Sequence, residues 1–296
     1  MRPRAGLRAV AALAAYFALS APGAAQEARL IGALNMAAEH PLLGGLSAIE
    51  MADDGASMVV LSDRGAVFRA DIARDDTGQI TRVDLTGAAQ LLGRNGRRGP
   101  WAARDSEGLA MAADGTLFMS FEGDHRVARY LGEGRSEALP PHPDFAALQN
   151  NAALEALAID AGGRLYAVPE DPGPEALSFP VYRFANGRWN RALSLPRMGR
   201  FLAVGADFDD LGRFYLLERD FSFLFGFAAR IRRFTITEAG LADEVTLLTT
   251  RYGQFSNLEG LSLWRNAAGQ LVASMVSDDN FSPLLPTQLV EFLLPD

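Results

Sequence analysis

An all-β fold, a β-propeller of five four-stranded blades, is what this sequence predicts, on three observations. A unit made of a short apolar strand, a glycine turn, a second strand and a cluster of charges returns five times, at a period of about fifty residues. Two further strand-like runs follow the first pair in most units. The last unit is one strand short while a lone strand stands near the other end of the chain, so the two ends can complete one blade and hide the sheet edges.

The elements follow in chain order. Arg2, Arg4 and Arg8 precede an apolar run, Ala9 to Leu19, and the small residues Ala21 to Gln26. This is the layout of a secretory leader cleaved after Ala25. The apolar run is far shorter than the roughly 20 residues that span a bilayer as a helix. The expected organisation is therefore a leader over 1–25 and a single propeller domain over 26–296, in an exported protein, periplasmic or secreted, with no membrane span. The lone strand is Arg29 to Leu34. The first unit runs from Ser47-Ala48-Ile49 through Gly55 to Ser62-Asp63-Arg64, and the second from Glu107-Gly108-Leu109 through Gly115 to Glu122-Gly123-Asp124-His125-Arg126. The third runs from Glu155-Ala156-Leu157 to Glu170-Asp171, the fourth from Gly205-Ala206-Asp207-Phe208 to Glu218-Arg219-Asp220, and the fifth from Glu259-Gly260-Leu261 to Asp278-Asp279-Asn280. Third strands are read at 66–70, 127–130, 181–184 and 231–234, and fourth strands at 80–85, 193–195 and 245–248. The segment from Ala88 to Arg104 reads as a surface loop with room for a sixth blade.

Composition narrows the chemistry. The formal charge is 28 − 36 = −8, and removing the three arginines of 1–25 makes it 25 − 36 = −11. Such a field repels nucleic acid and anionic membrane in bulk. Neither cysteine nor lysine occurs, which rules out disulfides, thiolate catalysis, Schiff bases and a P-loop lysine. The histidines are His40, His125 and His142, too far apart in sequence to suggest an all-histidine zinc site, and no nucleophile elbow, zinc helix or dinucleotide fingerprint is present. Arginine is the one fixed cation, suited to bidentate contact with carboxylate or phosphate. The expected partner is a small anionic or ester substrate, with no nucleic acid, and the expected state is a monomer.

Strand direction gives the acidic residues a common place. The first two strands of a blade are antiparallel, so the start of one and the end of the other share an edge of the sheet. Around a ring this puts Glu107, Glu155 and Glu259 near one channel mouth, with the charges that end the second strands outside them. Two carboxylates 4 Å apart repel by about 1 kcal/mol in water and about 4 kcal/mol at an effective dielectric near 20, so the ring calls for protons, arginines or a metal. Calcium, a hard cation that takes oxygen ligands, is the expected cofactor, with no organic one. The metal candidates are Glu107, Glu155, Asp207, Glu259 and Asp278. Counting back from the turn glycine puts Ser47 and Val204 in the glutamate's position in units one and four, with Asp207 an odd number of residues beyond it. Alternatives stand beside these readings. Glu-Gly-Leu can be a way of entering an inner strand, and Asp63-Arg64 and Glu218-Arg219-Asp220 can be salt-bridged loops. Phe221, Phe223, Phe225 and Phe227 alternate like a strand or hairpin and are read as packing, with a ligand or membrane flap as the alternative.

Ser62-Asp63-Arg64-Gly65, Glu107-Gly108-Leu109, Ser120-Phe121-Glu122, Leu154-Glu155-Ala156-Leu157, Gly205-Ala206-Asp207-Phe208, Leu217 to Phe221 and Val276 to Phe281, in this order, resemble the phytase-like, esterase-like family of exported bacterial proteins. The resemblance implies a propeller and hydrolysis of ester or phosphoester bonds. Under that reading Asp63, Glu122, His125 and Glu218 are the catalytic candidates, and Arg64, Arg126, Arg219 and Asn280 the substrate contacts. A non-catalytic binding or envelope-scaffold propeller is the alternative. A calcium-dependent lactonase is a third reading, because Glu-Gly before an apolar strand is also similar to gluconolactonase propellers.

Overall fold

The computed structural model describes residues 27–36, 40–149 and 152–296. The expected leader lies outside them. The strands form five four-stranded antiparallel sheets. Blade 1 is β2 (Leu46–Met51), β3 (Ser57–Ser62), β4 (Ala66–Arg74) and β5 (Ile80–Gln90). Blade 2 is β6 (Ser106–Met111), β7 (Leu117–Phe121), β8 (Arg126–Gly132) and β9 (Arg135–Ala138). Blade 3 is β10 (Leu154–Ile159), β11 (Leu165–Pro169), β12 (Ser178–Ala185) and β13 (Arg188–Pro196). Blade 4 is β14 (Leu202–Phe208), β15 (Arg213–Ser222), β16 (Gly226–Thr237) and β17 (Gly240–Thr249). Blade 5 is β18 (Asn257–Arg265), β19 (Leu271–Asp278) and β20 (Gln288–Leu293), closed on its outer edge by β1 (Arg29–Asn35), which pairs antiparallel with β20. The segment from Ala88 to Arg104 ends β5 and then connects blade 1 to blade 2, with one short 3₁₀ turn at Trp101–Ala103, so the blades number five.

Each blade buries one face against the blade before it and the other against the blade after it. On β3, Met58 and Val60 point into the core shared with blade 5, while Val59 and Leu61 point into the core shared with blade 2. The period of two thus serves two different neighbours. Five such cores fill the five gaps between blades, which is why no blade can bury its faces alone. Among the described residues no helix is long and apolar enough to cross a membrane.

All five inner strands carry a β-bulge at the same place. The register slips at Ser47 in β2, at Glu107-Gly108 in β6, at Glu155 in β10, at Val204 in β14 and at Glu259 in β18. A bulge breaks the alternation and re-aims a side chain. Here it turns one residue per blade to the channel. Glycine after the bulge has a steric reason: a Cβ on Gly108 would lie 2.5 Å from the Glu155 carbonyl oxygen, and one on Gly260 would lie 2.9 Å from the Ala48 Cα. The Glu-Gly pair marks where the inner strands press together around the axis.

Candidate functional site

Two rings of five residues define the channel mouth. The inner ring is the bulge position: Ser47, Glu107, Glu155, Val204 and Glu259. The outer ring is the residue one beyond the partner of the residue that precedes each bulge: Asp63, Glu122, Glu170, Arg219 and Asp278. Two residues before each bulge, blades 2 and 5 add Asp105 and Asn257. All of these except Asp63, Arg219 and the non-polar Val204 are buried polar groups.

Arg219 closes the side of the ring near blades 3, 4 and 5. Its guanidinium donates to Glu259 Oε1, to Glu170 Oε1 and, at 3.1 Å, to Asn257 Oδ1. Burial works against its charge, but Glu259, Glu170 and Glu155 more than offset this and raise its pKa. Asn257 Nδ2 also donates to Glu259 Oε1 at 2.8 Å.

On the other side of the ring, no cation among the described residues makes an ion pair with Asp105, Glu107 or Glu122. Asp105, Glu107 and Glu122 each bring a carboxylate oxygen within 4.8 Å of the other two. Asp63 Oδ1 is buried and has no hydrogen-bond partner. Burial, with Glu155 and Glu259 adding repulsion, holds Glu107 well above the ordinary carboxylate range, and burial with Glu170 and Glu259 does the same to Glu155. Burial raises Glu122 to about 7 and Asp105 to about 6. Burial, then Asp278 and Asp105, raises Asp63 to about 7, and burial raises Glu259 to about 8 even beside Arg219. Carboxylates crowded in this way hold protons at neutral pH or gather a cation.

The structure brings Asp63, Glu107, Glu122, Glu155, Arg219, Glu259 and Asp278 together and leaves other candidates elsewhere. Asp207 is corrected: it lies at the far end of β14, opposite Tyr215, where it accepts from Leu263 N at 2.6 Å and faces Glu50 across the channel floor. Burial raises its pKa to about 7 there. Its distance from the bulge places it at the other end of the sheet. Glu218 is also corrected: it is fully buried on the face of β15 away from the ring, tied to Arg230 at 2.7 Å and to Arg232 at 2.7 and 2.8 Å. Arg126 is 2% exposed, donates to Asp124 and to the Ala103 carbonyl, and lies 3.6 Å over the Phe121 ring, so it braces a turn and does not face substrate. Burial lowers its pKa to about 10.

His125 is half-buried beside that turn, its Nδ1 2.8 Å from the Phe145 carbonyl oxygen and its Nε2 buried without a partner. Arg64 and Asn280 are exposed at the rim, Arg64 with its guanidinium 3.2 Å over the Phe281 ring. Asp105 and Glu170 complete the cluster. The signal for Glu170 is its match to Glu122 and Asp278 at the end of the second strand, and that for Asp105 is its place two residues before Glu107, as Asn257 stands before Glu259.

Beside Arg219 the mouth opens into a cleft of about 490 Å³, lined by Arg200, Leu202, Arg219, Asp220, Phe221, Phe227, Asn257 and Asn280. The aromatic run does not pack inside: Phe221, Phe223 and Phe225 are exposed at 52%, 92% and 67% on the β15–β16 hairpin that overhangs this cleft.

Residues 41–281 match the Phytase-like family, described as "Esterase-like activity of phytase". No curated protein sequence matches the chain. Among solved structures, the chain is similar to the catalytic domain of a GH62 α-L-arabinofuranosidase from Coprinopsis cinerea, at 11% identity and TM-score 0.53, covering 90% of this chain and 96% of that one. It is also similar to the PQQ-bound aldose sugar dehydrogenase of Streptomyces coelicolor, at 12% identity and TM-score 0.50 over 90% and 98%. A gluconolactonase from Xanthomonas campestris shares 15% identity, with TM-score 0.46 over 91% and 95%. Likeness at these identities is a likeness of fold.

Proposed function

The chain belongs to the Phytase-like family, and on that premise we propose that it is a metal-dependent hydrolase of ester or phosphoester bonds, acting at the acidic channel mouth with calcium as its cation. The observation that carries this reading is the convergence of Asp105, Glu107 and Glu122 beside the partnerless Asp63 Oδ1. Buried carboxylate oxygens that make no ion pair among the described residues are the donor set that a hard cation takes, so the residues present fit calcium. Asp105, Glu107 and Glu122 would hold it, with Asp63 and Glu155 adjacent. Once bound, the ion would supply Lewis-acid polarisation of the ester or phosphoester oxygen.

The chain's own groups divide the remaining work. Asp63, raised to about 7, is matched to accept a proton from water near neutral pH, where a general base is most effective. Arg64 and Asn280 stand exposed at the rim, where they can donate to an anionic group of the substrate. Arg219 holds Glu170 and Glu259 in fixed positions through its two ion pairs. We also place the protein outside the cytoplasm, periplasmic or secreted, on the leader-like residues 1–25.

The test is turnover of ester and phosphoester substrates by wild type and Asp63→Asn, before and after treatment with a chelator and re-addition of calcium. The expected result is calcium-restored activity in wild type and a loss of about 10²–10⁴-fold in Asp63→Asn without unfolding. A fully folded protein that turns over neither substrate class in calcium overturns the reading. It would leave a ligand-binding propeller, the function favoured by the ion pairs that Arg219 already makes with Glu170 and Glu259.

A further inference from the structure

The β15–β16 hairpin departs from the other four blades. β15 and β16 have 10 and 12 residues, against 5 and 7 in β7 and β8. Past Arg219 the strand rises above the ring through Phe221, turns through Phe223, Leu224 and Phe225, and returns through Phe227. The Phe221 and Phe227 rings pack 4.8 Å apart, and Leu224 is 79% exposed. The hairpin is held upright at its base. Gly253 N donates to the Phe227 carbonyl at 2.8 Å, and Asp220 is held by Tyr252 Oη at 2.6 Å and by Arg200 at 3.2 Å. An apolar group so exposed on a fixed support marks a contact surface.

The cleft beneath it has two characters. Its ring side offers Arg219, Asn257 and Asn280, and its hairpin side offers Leu202, Phe221 and Phe227. We propose that the substrate is an amphiphile: its hydrolysable head sits at the ring, and its acyl, alkyl or aromatic body lies against Leu202, Phe221 and Phe227, with Phe223, Leu224 and Phe225 extending that wall. The head's place rests on the hydrolase reading; the apolar wall does not. A bilayer surface is a poorer occupant, because the hairpin rises beside the carboxylate ring of a chain with net charge −8, which repels anionic lipid.

The experiment measures binding and turnover separately. Alkyl phosphates of increasing chain length are titrated by calorimetry with calcium present, and a matching series of p-nitrophenyl esters is assayed. Affinity should rise by up to about fourfold per methylene that enters the cleft. The rise should flatten in Phe221→Ser/Phe227→Ser, and partly in Phe223→Ser/Phe225→Ser, whose exposed positions leave the fold intact. Chain-length dependence in binding without hydrolysis of any ester supports the apolar subsite and sinks the hydrolase reading. Hydrolysis or binding indifferent to chain length overturns the amphiphile. So does co-sedimentation with phosphatidylcholine vesicles that the tip variant abolishes while the chain-length series stays flat.

Discussion

Glu218 and Arg219 sit one peptide bond apart and face opposite sides of β15. Arg219 enters the ring, and Glu218 is fully buried between Arg230 and Arg232. In a strand a shift of one residue exchanges the two faces, so a cluster such as Glu-Arg-Asp names the neighbourhood and not the residue that reaches the site. The same limit applies to Arg126, whose place in a charged turn suggests a substrate contact and whose guanidinium braces the turn. Removing one partner of a buried ion pair leaves the others uncompensated. Glu218→Ala should therefore lose about 3–5 kcal/mol in urea denaturation, an effect that a catalytic role confined to a mouth group would not produce. At the bulge, Gly108→Ala should lose about 1–3 kcal/mol because the new Cβ meets a carbonyl oxygen. Gly87→Ala, with nothing nearer than 3.9 Å, should stay close to wild type in the same titration.

The bulged inner strand is the element that makes the site. Counting residues back from the turn glycine was enough to find its position in four blades, because turn and bulge are joined by an unbroken ladder. The bulge itself left no mark in the pattern of apolar residues. Asp105 escaped for that reason, since two residues before a bulge do not project as simple alternation requires. Asp207 stands next to the end of β14 and not at its start, a difference that Gly-Ala-Asp does not reveal because a strand start and a strand end can carry the same residues. The closing strand was legible as an unpaired apolar run before the first unit. β1 supplies the outer edge of blade 5, so deleting residues 27–36 leaves β20 as a bare edge. That variant should melt well below wild type and aggregate on heating, as followed by scattering; an unchanged melting temperature would mean that the ring closes without β1.

The whole ring holds buried carboxyl groups at both ends of its axis, and these set how it responds to pH. At the floor, Glu50 accepts from Met111 N at 3.0 Å and Asp207 accepts from Leu263 N, so each carboxyl group ties its inner strand to that of the next blade. Burial raises both, Glu50 further through repulsion by Asp207, and Asp207 reaches about 7 against an ordinary 3.8. The folded chain therefore keeps protons that the unfolded chain releases between about pH 4 and 7. The sign follows: stability from this pair is complete below the unfolded value and is lost as pH rises through about 7. Melting temperature of chelator-treated protein should fall from pH 5 to pH 8, and Glu50→Gln, which keeps an acceptor for Met111 N without the charge, should lessen the fall. An equally steep fall in Glu50→Gln would assign the effect to other groups. The five-fold repeat was readable because every blade repeats one packing problem. The chemistry at the mouth was readable only in part, because each blade fills its ring positions with a different residue.

The mouth is the centre of this account, and calcium titration tests it most directly. Calorimetry on metal-stripped protein at pH 7.5 should show saturable calcium binding with proton release, as the raised carboxylates give up their protons to the ion. Glu107→Gln should weaken that binding by about tenfold or more while the fold, followed by circular dichroism, stays intact. Absence of calcium binding to the wild-type protein, or binding that Glu107→Gln leaves unchanged, would contradict a metal held by Asp105, Glu107 and Glu122.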